Sequence, residues 1–243
     1  MPKSYKFYKA RIIYYMRFLC IKKKTIVALL CAIVILASVV SAAVITTSSM
    51  PKPEYSIVID AGHGGRDGGA VGVNTGVTES ELNLMYAKEL ERLCEEFGIG
   101  VTMTRSDMNG LYDESAPNKK KSEMERRKNI INSSGADLMV SLHMNSFPLP
   151  SGKGAQVFYA SGSEHGFDLA KSVQTSICQN FDSARNYVSV GDYFVLNYSE
   201  MPAVLVECGF LSNPEEENLL QTEEYCEKFC YSILAGILGY FEM

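Results

Sequence analysis

Between residues 55 and 241, short apolar runs alternate with longer amphipathic stretches. Tyr55–Asp60 is apolar and β-branched, which predicts a buried strand. It stops at a glycine-rich stretch, 62–76, where backbone can approach a ligand closely. Leu82, Tyr86, Leu90, Leu93 and Phe97 then recur at helical spacing and predict a helix from Glu79 to Phe97, ended by Gly98. Thr78 followed by Glu81 has the form of a capping box. Glu81 therefore has a local structural task, whereas Glu79, at the first helical position, has none. Ile99–Thr104 predicts a second strand, and 111–121 a polar surface loop. Ser122-x-x-Glu125 repeats the capping pattern and starts a helix that ends near Ser133. Asp137–His143 predicts a third strand, with Leu138, Val140 and Leu142 on one face, and Ala155–Ala160 a fourth. Residues 165–180 form a helix with Leu169, Val173 and Ile177 inward. Tyr193–Asn197 and Ala203–Val206 predict two further strands, and Glu223–Phe241 a closing helix. About six strands alternating with helices imply a single α/β domain.

The first 50 residues have a different pattern. Residues 1–24 carry eight Lys or Arg and no acid, and Thr25–Pro51 carries no charge at all. Thr25–Thr47 is long enough, as a helix, to cross roughly 30 Å of hydrocarbon. The basic flank stays cytoplasmic, so the rest of the chain is expected to be exported. Two readings fit: an uncleaved membrane anchor over 25–47, favoured by the length of the run, or a signal peptide cut at Ser41-Ala42-Ala43. Met16 is an alternative start. Residues 48–54, with two prolines, form a linker to a domain spanning 55–243.

Charge narrows the partners. The chain has 23 basic and 28 acidic residues; without the eight leader cations the remainder carries a formal charge of −13. With no basic patch interleaved with aromatics, no nucleic-acid partner is expected. The domain cysteines, Cys94, Cys178, Cys208, Cys226 and Cys230, form no Cys-x-x-Cys pair and predict buried thiols rather than a zinc site.

Four separated residues carry the candidate chemistry. His63 follows the first predicted strand, His143 closes the third, Glu207 closes the last, and Glu79 opens the first helix. Ligands of open α/β sheets collect beyond the carboxyl ends of strands, so one crevice can gather all four. Two imidazoles and a carboxylate suit Zn²⁺ and leave a position for water. Glu207 is then the general base that moves the proton. Asp60 is expected to orient His63 through its second ring nitrogen. Arg105 and Arg127 are candidates either for a substrate carboxylate or for structural ion pairs. Asn145 either shapes the site or stabilises a turn, and His165 is read as a surface residue. Singly, each of the four has a plainer reading: a structural histidine or a solvated carboxylate. Together they bring a metal site to parity with those readings.

Val58-Ile59-Asp60-Ala61-Gly62-His63-Gly64-Gly65 resembles the opening motif of the amidase-3 family, the zinc-dependent N-acetylmuramoyl-L-alanine amidases. Glu79, Val140–Asn145 and Pro202–Pro214 resemble that family's further motifs, in order, over residues 55–241. The resemblance implies a twisted mixed sheet with helices on both faces. It implies one Zn²⁺ per chain on His63, Glu79 and His143, with Glu207 as catalytic acid/base. The implied substrate is peptidoglycan, cut between N-acetylmuramic acid and L-alanine of the stem peptide. Gly154–Tyr159 and Val206–Pro214 are similar to the germination-specific branch, which acts on spore cortex and contributes to muramic-δ-lactam formation. A vegetative autolysin of the same chemistry and a wall-binding scaffold without catalysis are the alternatives. A regulatory or accessory protein is an expected partner, as is the membrane through the N-terminal segment. Asn197 departs from the family pattern, which has a basic residue there in many members.

Overall fold

The apolar runs pair into one six-stranded mixed sheet in a computed structural model that describes residues 53–242. In chain order the elements are β1 (Ser56–Ala61), α1 (Glu79–Glu96), β2 (Gly100–Met103), α2 (Lys119–Ser133), β3 (Leu138–Asn145), β4 (Gln156–Tyr159), α3 (Glu164–Asn180), β5 (Ser189–Val190), α4 (Phe194–Asn197), β6 (Ala203–Phe210), α5 (Pro214–Leu220) and α6 (Glu223–Phe241). The strand order is β2-β1-β3-β6-β4-β5. The first four run parallel, and β4 pairs antiparallel with β6. The predicted basic segment, the hydrophobic helix over 25–47 and most of the linker lie outside the described residues. No described helix is long and apolar enough to cross a membrane.

Period-two alternation divides the side chains between two faces. Ile57, Ile59, Leu138, Val140, Leu142, Met144, Val204, Val206 and Cys208 join the larger core, with Leu90 and Leu93 of α1, Val173 of α3 and Phe229 and Ile233 of α6. Val58, Met139 and Leu205 face the other way, with Ile131 of α2 and Val195 and Leu196 of α4. All five domain cysteines are free thiols, and only Cys178 is not fully buried.

Several boundaries differ from expectation. The predicted strand Tyr193–Asn197 is a single helical turn, with Asn197 N–H donating to Tyr193 O at 3.0 Å. A four-residue apolar run, Tyr193–Leu196, fits either geometry, and here burial of Val195 and Leu196 against the sheet decides it. The sixth strand is the two-residue β5, too short to show a period. Helix α2 begins three residues before the Ser122 box, because the Asn118 side chain accepts from Lys121 N–H at 2.9 Å and caps it. Helix α5 is an addition to the predicted elements, although Asn213-Pro214 is a start signal: Asn213 Oδ1 accepts from the N–H groups of Glu215 and Glu216 at 3.0 and 3.1 Å. Strands β3 and β6 continue past His143 and Glu207, through a register shift between His143 and Asn145.

Helix α5 also anchors a distant loop. Its Glu217 is fully buried and accepts from the N–H groups of Asn74 and Thr75, each at 2.8 Å. That carboxylate pins the glycine-rich loop that leads into α1.

On the second face, Asp60 of β1 and Arg127 of α2 form an ion pair with each side chain 1 % exposed. Asp60 also accepts from Ser141 Oγ at 2.6 Å and Thr104 Oγ1 at 2.8 Å. Burial pushes this carboxyl up, but Arg127 and the two hydroxyls outweigh it and hold Asp60 below the usual carboxylate range. Such a group adds stability above its unfolded pKa of about 3.9 and loses it as pH falls through the lower folded value. Asp60→Asn should therefore cost about 3 kcal/mol in urea unfolding at pH 7, because the buried Arg127 loses one of its two carboxylate partners and keeps only Glu123. It should also flatten the decline of stability below about pH 4. A variant as stable as wild type at both pH values would show the pair to be dispensable.

Candidate metal centre

Parallel pairing sets the first two positions. His143 on β3 and Glu207 on β6 are register partners, and both fall on the Asp60 face by alternation. His63 lies two residues beyond β1, at the same end of the sheet. Its φ of 60° is the only positive value at a non-glycine position among the described residues. A left-handed residue with a Cβ costs about 1–2 kcal/mol, so something must hold it.

Two buried arginines do so. Arg105 donates to the carbonyls of Ala61 (3.0 Å), Gly62 (2.9 Å), Ser80 (2.8 Å) and Asp107 (2.8 Å). Arg127 donates to Ala61 O at 2.8 Å and to His63 O, besides its pairs with Asp60 and Glu123. Neither guanidinium is turned out to a substrate: of the two roles open to them, both take structural ones, and Arg105 serves the backbone rather than an ion pair. Gly62 is required for a different reason. A Cβ there would stand 2.3 Å from the His143 ring.

Glu79 enters from the first position of α1. Its Oε1 lies 3.1 Å from His63 Nε2 and 2.8 Å from His143 Nδ1, and accepts from Met144 N–H at 3.2 Å. Its Oε2 accepts from Ala70 N–H at 2.8 Å, in the loop that Glu217 pins. Gly69 makes room for it, since a Cβ there would meet Oε2 at 2.3 Å. Glu81 accepts from Thr78 N–H at 2.9 Å, as its capping task requires. Burial would raise Glu79, but hydrogen bonds from both imidazoles hold it well below the usual range. His63 moves up: burial lowers it, and Glu79 and Asp67 more than reverse that.

One donor atom from each of His63, Glu79 and His143 lies within 4.8 Å of the others. Tetrahedral zinc with bonds of about 2.0–2.1 Å spaces its ligands by about 3.3 Å, so the pairs to Glu79, at 3.1 and 2.8 Å, need only a small opening to admit such an ion. Glu207 stands apart. It is 8 % exposed, and its buried Oε2 has no hydrogen-bond partner. Burial raises its pKa to about 7, with Glu79 adding to the rise and the two histidines opposing it. A carboxyl poised there can accept a proton and return it.

The remaining expectations fare differently. Asp60 does not orient His63, because its oxygens are taken by Arg127, Ser141 and Thr104. Asp67 is the carboxylate beside that nitrogen, with Oδ1 2.9 Å from His63 Nδ1, an ion-pair contact without hydrogen-bond geometry. Burial raises Asp67 and Lys120 and His63 lower it, to a net value of about 2. Its place four residues after His63, in the glycine-rich stretch, was the overlooked signal. Asn145 accepts from Leu211 N–H at 2.8 Å through its backbone, which ties β3 to the turn after β6. Asn197 donates to Asp192 at 2.7 Å, and His165 is exposed at the start of α3.

Comparison with known proteins identifies the family. The family model for N-acetylmuramoyl-L-alanine amidase, amidase-3, matches residues 57–239. The germination-specific N-acetylmuramoyl-L-alanine amidase of Bacillus subtilis (strain 168) is 34% identical over 197 residues, covering 79% of this chain and 82% of that protein. The CwlD amidase of Clostridioides difficile, solved in complex with the GerS lipoprotein, superposes with a TM-score of 0.74 at 35% identity, covering 78% of this chain and 99% of that one. The catalytic domain of CwlV, an N-acetylmuramoyl-L-alanine amidase from Bacillus (Paenibacillus) polymyxa, gives a TM-score of 0.69 at 28% identity, covering 77% and 98%. A motif set in order, a shared fold and a match over most of the chain make this protein a member of the amidase-3 family of N-acetylmuramoyl-L-alanine amidases.

Proposed function

We propose that this amidase is zinc-dependent and acts on spore-cortex peptidoglycan, where its product leads to muramic-δ-lactam. The observation that carries the zinc reading is the convergence of His63, Glu79 and His143 beside an unpartnered Glu207. A zinc ion on those three residues would polarise the scissile carbonyl and acidify a water. The protein's own part is proton traffic. Glu207 takes a proton from the attacking water and delivers it to the amide nitrogen. The C–N bond breaks, leaving a lactyl carboxylate on the sugar and a free amino terminus on L-alanine. Glu79, as the third residue holding the ion, would stay ionised and would not compete for that proton.

The cortex reading is supported by the germination-specific Bacillus subtilis relative and by the CwlD structure. The latter is a complex with a lipoprotein, which supports an accessory partner for this chain. The basic and apolar N-terminal pattern supports export, with 25–47 as a membrane anchor. An intact set of His63, Glu79, His143 and Glu207 disfavours a scaffold without catalysis.

Glu207→Gln should lower release of L-alanine-terminated stem peptides from purified cortex by about 10²–10⁴-fold at unchanged zinc content. Retained activity would remove Glu207 from the chemistry. Spores lacking the gene should lack muramic-δ-lactam; normal lactam with altered vegetative wall turnover would point to an autolysin instead. Asp67→Asn should weaken zinc binding by about 10–100-fold in chelator competition. Unchanged affinity would show that Asp67 does not orient His63.

A further inference from the structure

Beside the metal centre, on the face toward α2 and α4, lies a cavity of about 110 Å³. Gly62, His63 and His143 form its inner wall, and Tyr193, Phe194 and Leu205 line it with apolar surface. Two cations border it, Arg127 and Lys120. Arg127 is fully committed to Asp60, Glu123 and backbone carbonyls. Lys120 is 58 % exposed and has one partner, the Oδ2 of Asp67, whose other oxygen faces His63. Only Asp67 therefore separates the Lys120 ammonium from the ligand cluster. An exposed pair of this kind is worth about 0–1 kcal/mol, so a second carboxylate can share or take over the ammonium at little cost.

The surroundings of Lys120 are unusual in charge. α1, α3, α5 and α6 all carry glutamate in the first turn, as the helix dipole favours. α2 carries none, and has Lys119, Lys120 and Lys121 there instead. These cations sit where the dipole disfavours them, on a domain whose formal charge is otherwise strongly negative. Of the three, Lys120 lines the cavity and Lys119 is paired with Glu114.

We propose that Lys120 is a specificity-determining residue that pairs with a free carboxylate on the stem-peptide residue following L-alanine, while the aromatic wall of the cavity seats the adjoining peptide. The proposal rests on the amidase reading and names the anionic form of the substrate as the one selected. Bond breaking leaves L-alanine at the inner wall. Consecutive residues are about 3.8 Å apart, so a stem peptide laid along this cavity would carry the next residue's carboxylate one residue from the inner wall, with Lys120 as the cavity's uncommitted cation. A charge-assisted pair that is partly exposed there is expected to give about tenfold discrimination.

The test uses two synthetic muramoyl tripeptides, identical except for an α-carboxylate or an α-carboxamide on the γ-linked D-glutamate after L-alanine. Zinc-loaded wild type, Lys120→Met and Lys120→Arg are compared at matched metal content. Wild type should prefer the carboxylate about tenfold in kcat/KM, mainly through KM. Lys120→Met should abolish that preference, and Lys120→Arg should keep it. Equal use of both substrates by wild type would overturn the proposal. So would a Lys120→Met variant that slows both substrates equally and keeps the preference, since Lys120 would then only steady Asp67. Failure of wild type to cut either substrate would overturn the amidase reading itself, and this proposal with it.

Discussion

The left-handed turn at His63 is the constraint on which the site depends. A histidine with a φ of 60° is held because Arg105 and Arg127 donate to the carbonyls of Ala61, Gly62 and His63 around it. Arg127 is itself stable in a dry interior only because Asp60 and Glu123 neutralise it. A buried ion pair of this kind is weak as a source of stability. Here it has a positional use: it turns the chain immediately after β1 so that the His63 ring faces His143 across Gly62, with ring centroids 5.0 Å apart.

The same corner separates two carboxylates into two roles. Glu79 sits between both imidazoles and receives two backbone N–H groups, so it remains ionised despite burial. Glu207, the register partner of His143, has burial without compensation and an oxygen with no partner. Neighbouring carboxyls with opposite shifts are what proton transfer at neutral pH requires. The division follows from topology. One acid starts a helix and points down into the ligand cluster, and the other extends from a central strand.

Much of this was legible in the sequence because it is locally encoded. The strands around Ile57, Val140 and Val204 alternate, α1 announces itself by period and by Thr78–Glu81, and the candidate ligand positions sit where strands end and a helix starts. What was misread depends on distant contacts. Tyr193–Asn197 coils because Val195 and Leu196 cover the second face of the sheet. Asp60 points to α2 rather than to His63 because β1 alternation sends it there, a direction that a residue three positions from the histidine does not reveal. Asp67 was overlooked because a lone aspartate among glycines reads as a turn residue.

The central claim is that two imidazoles and Glu79 hold one zinc ion while Glu207 remains outside its coordination. Anomalous diffraction on either side of the zinc edge, from crystals of the zinc-loaded protein, tests it most directly. The account predicts a single strong peak about 2 Å from His63 Nε2, His143 Nδ1 and Glu79 Oε1, with neither Glu207 oxygen within bonding distance. A peak bound by Glu207 in place of Glu79, or one away from both histidines, would contradict it.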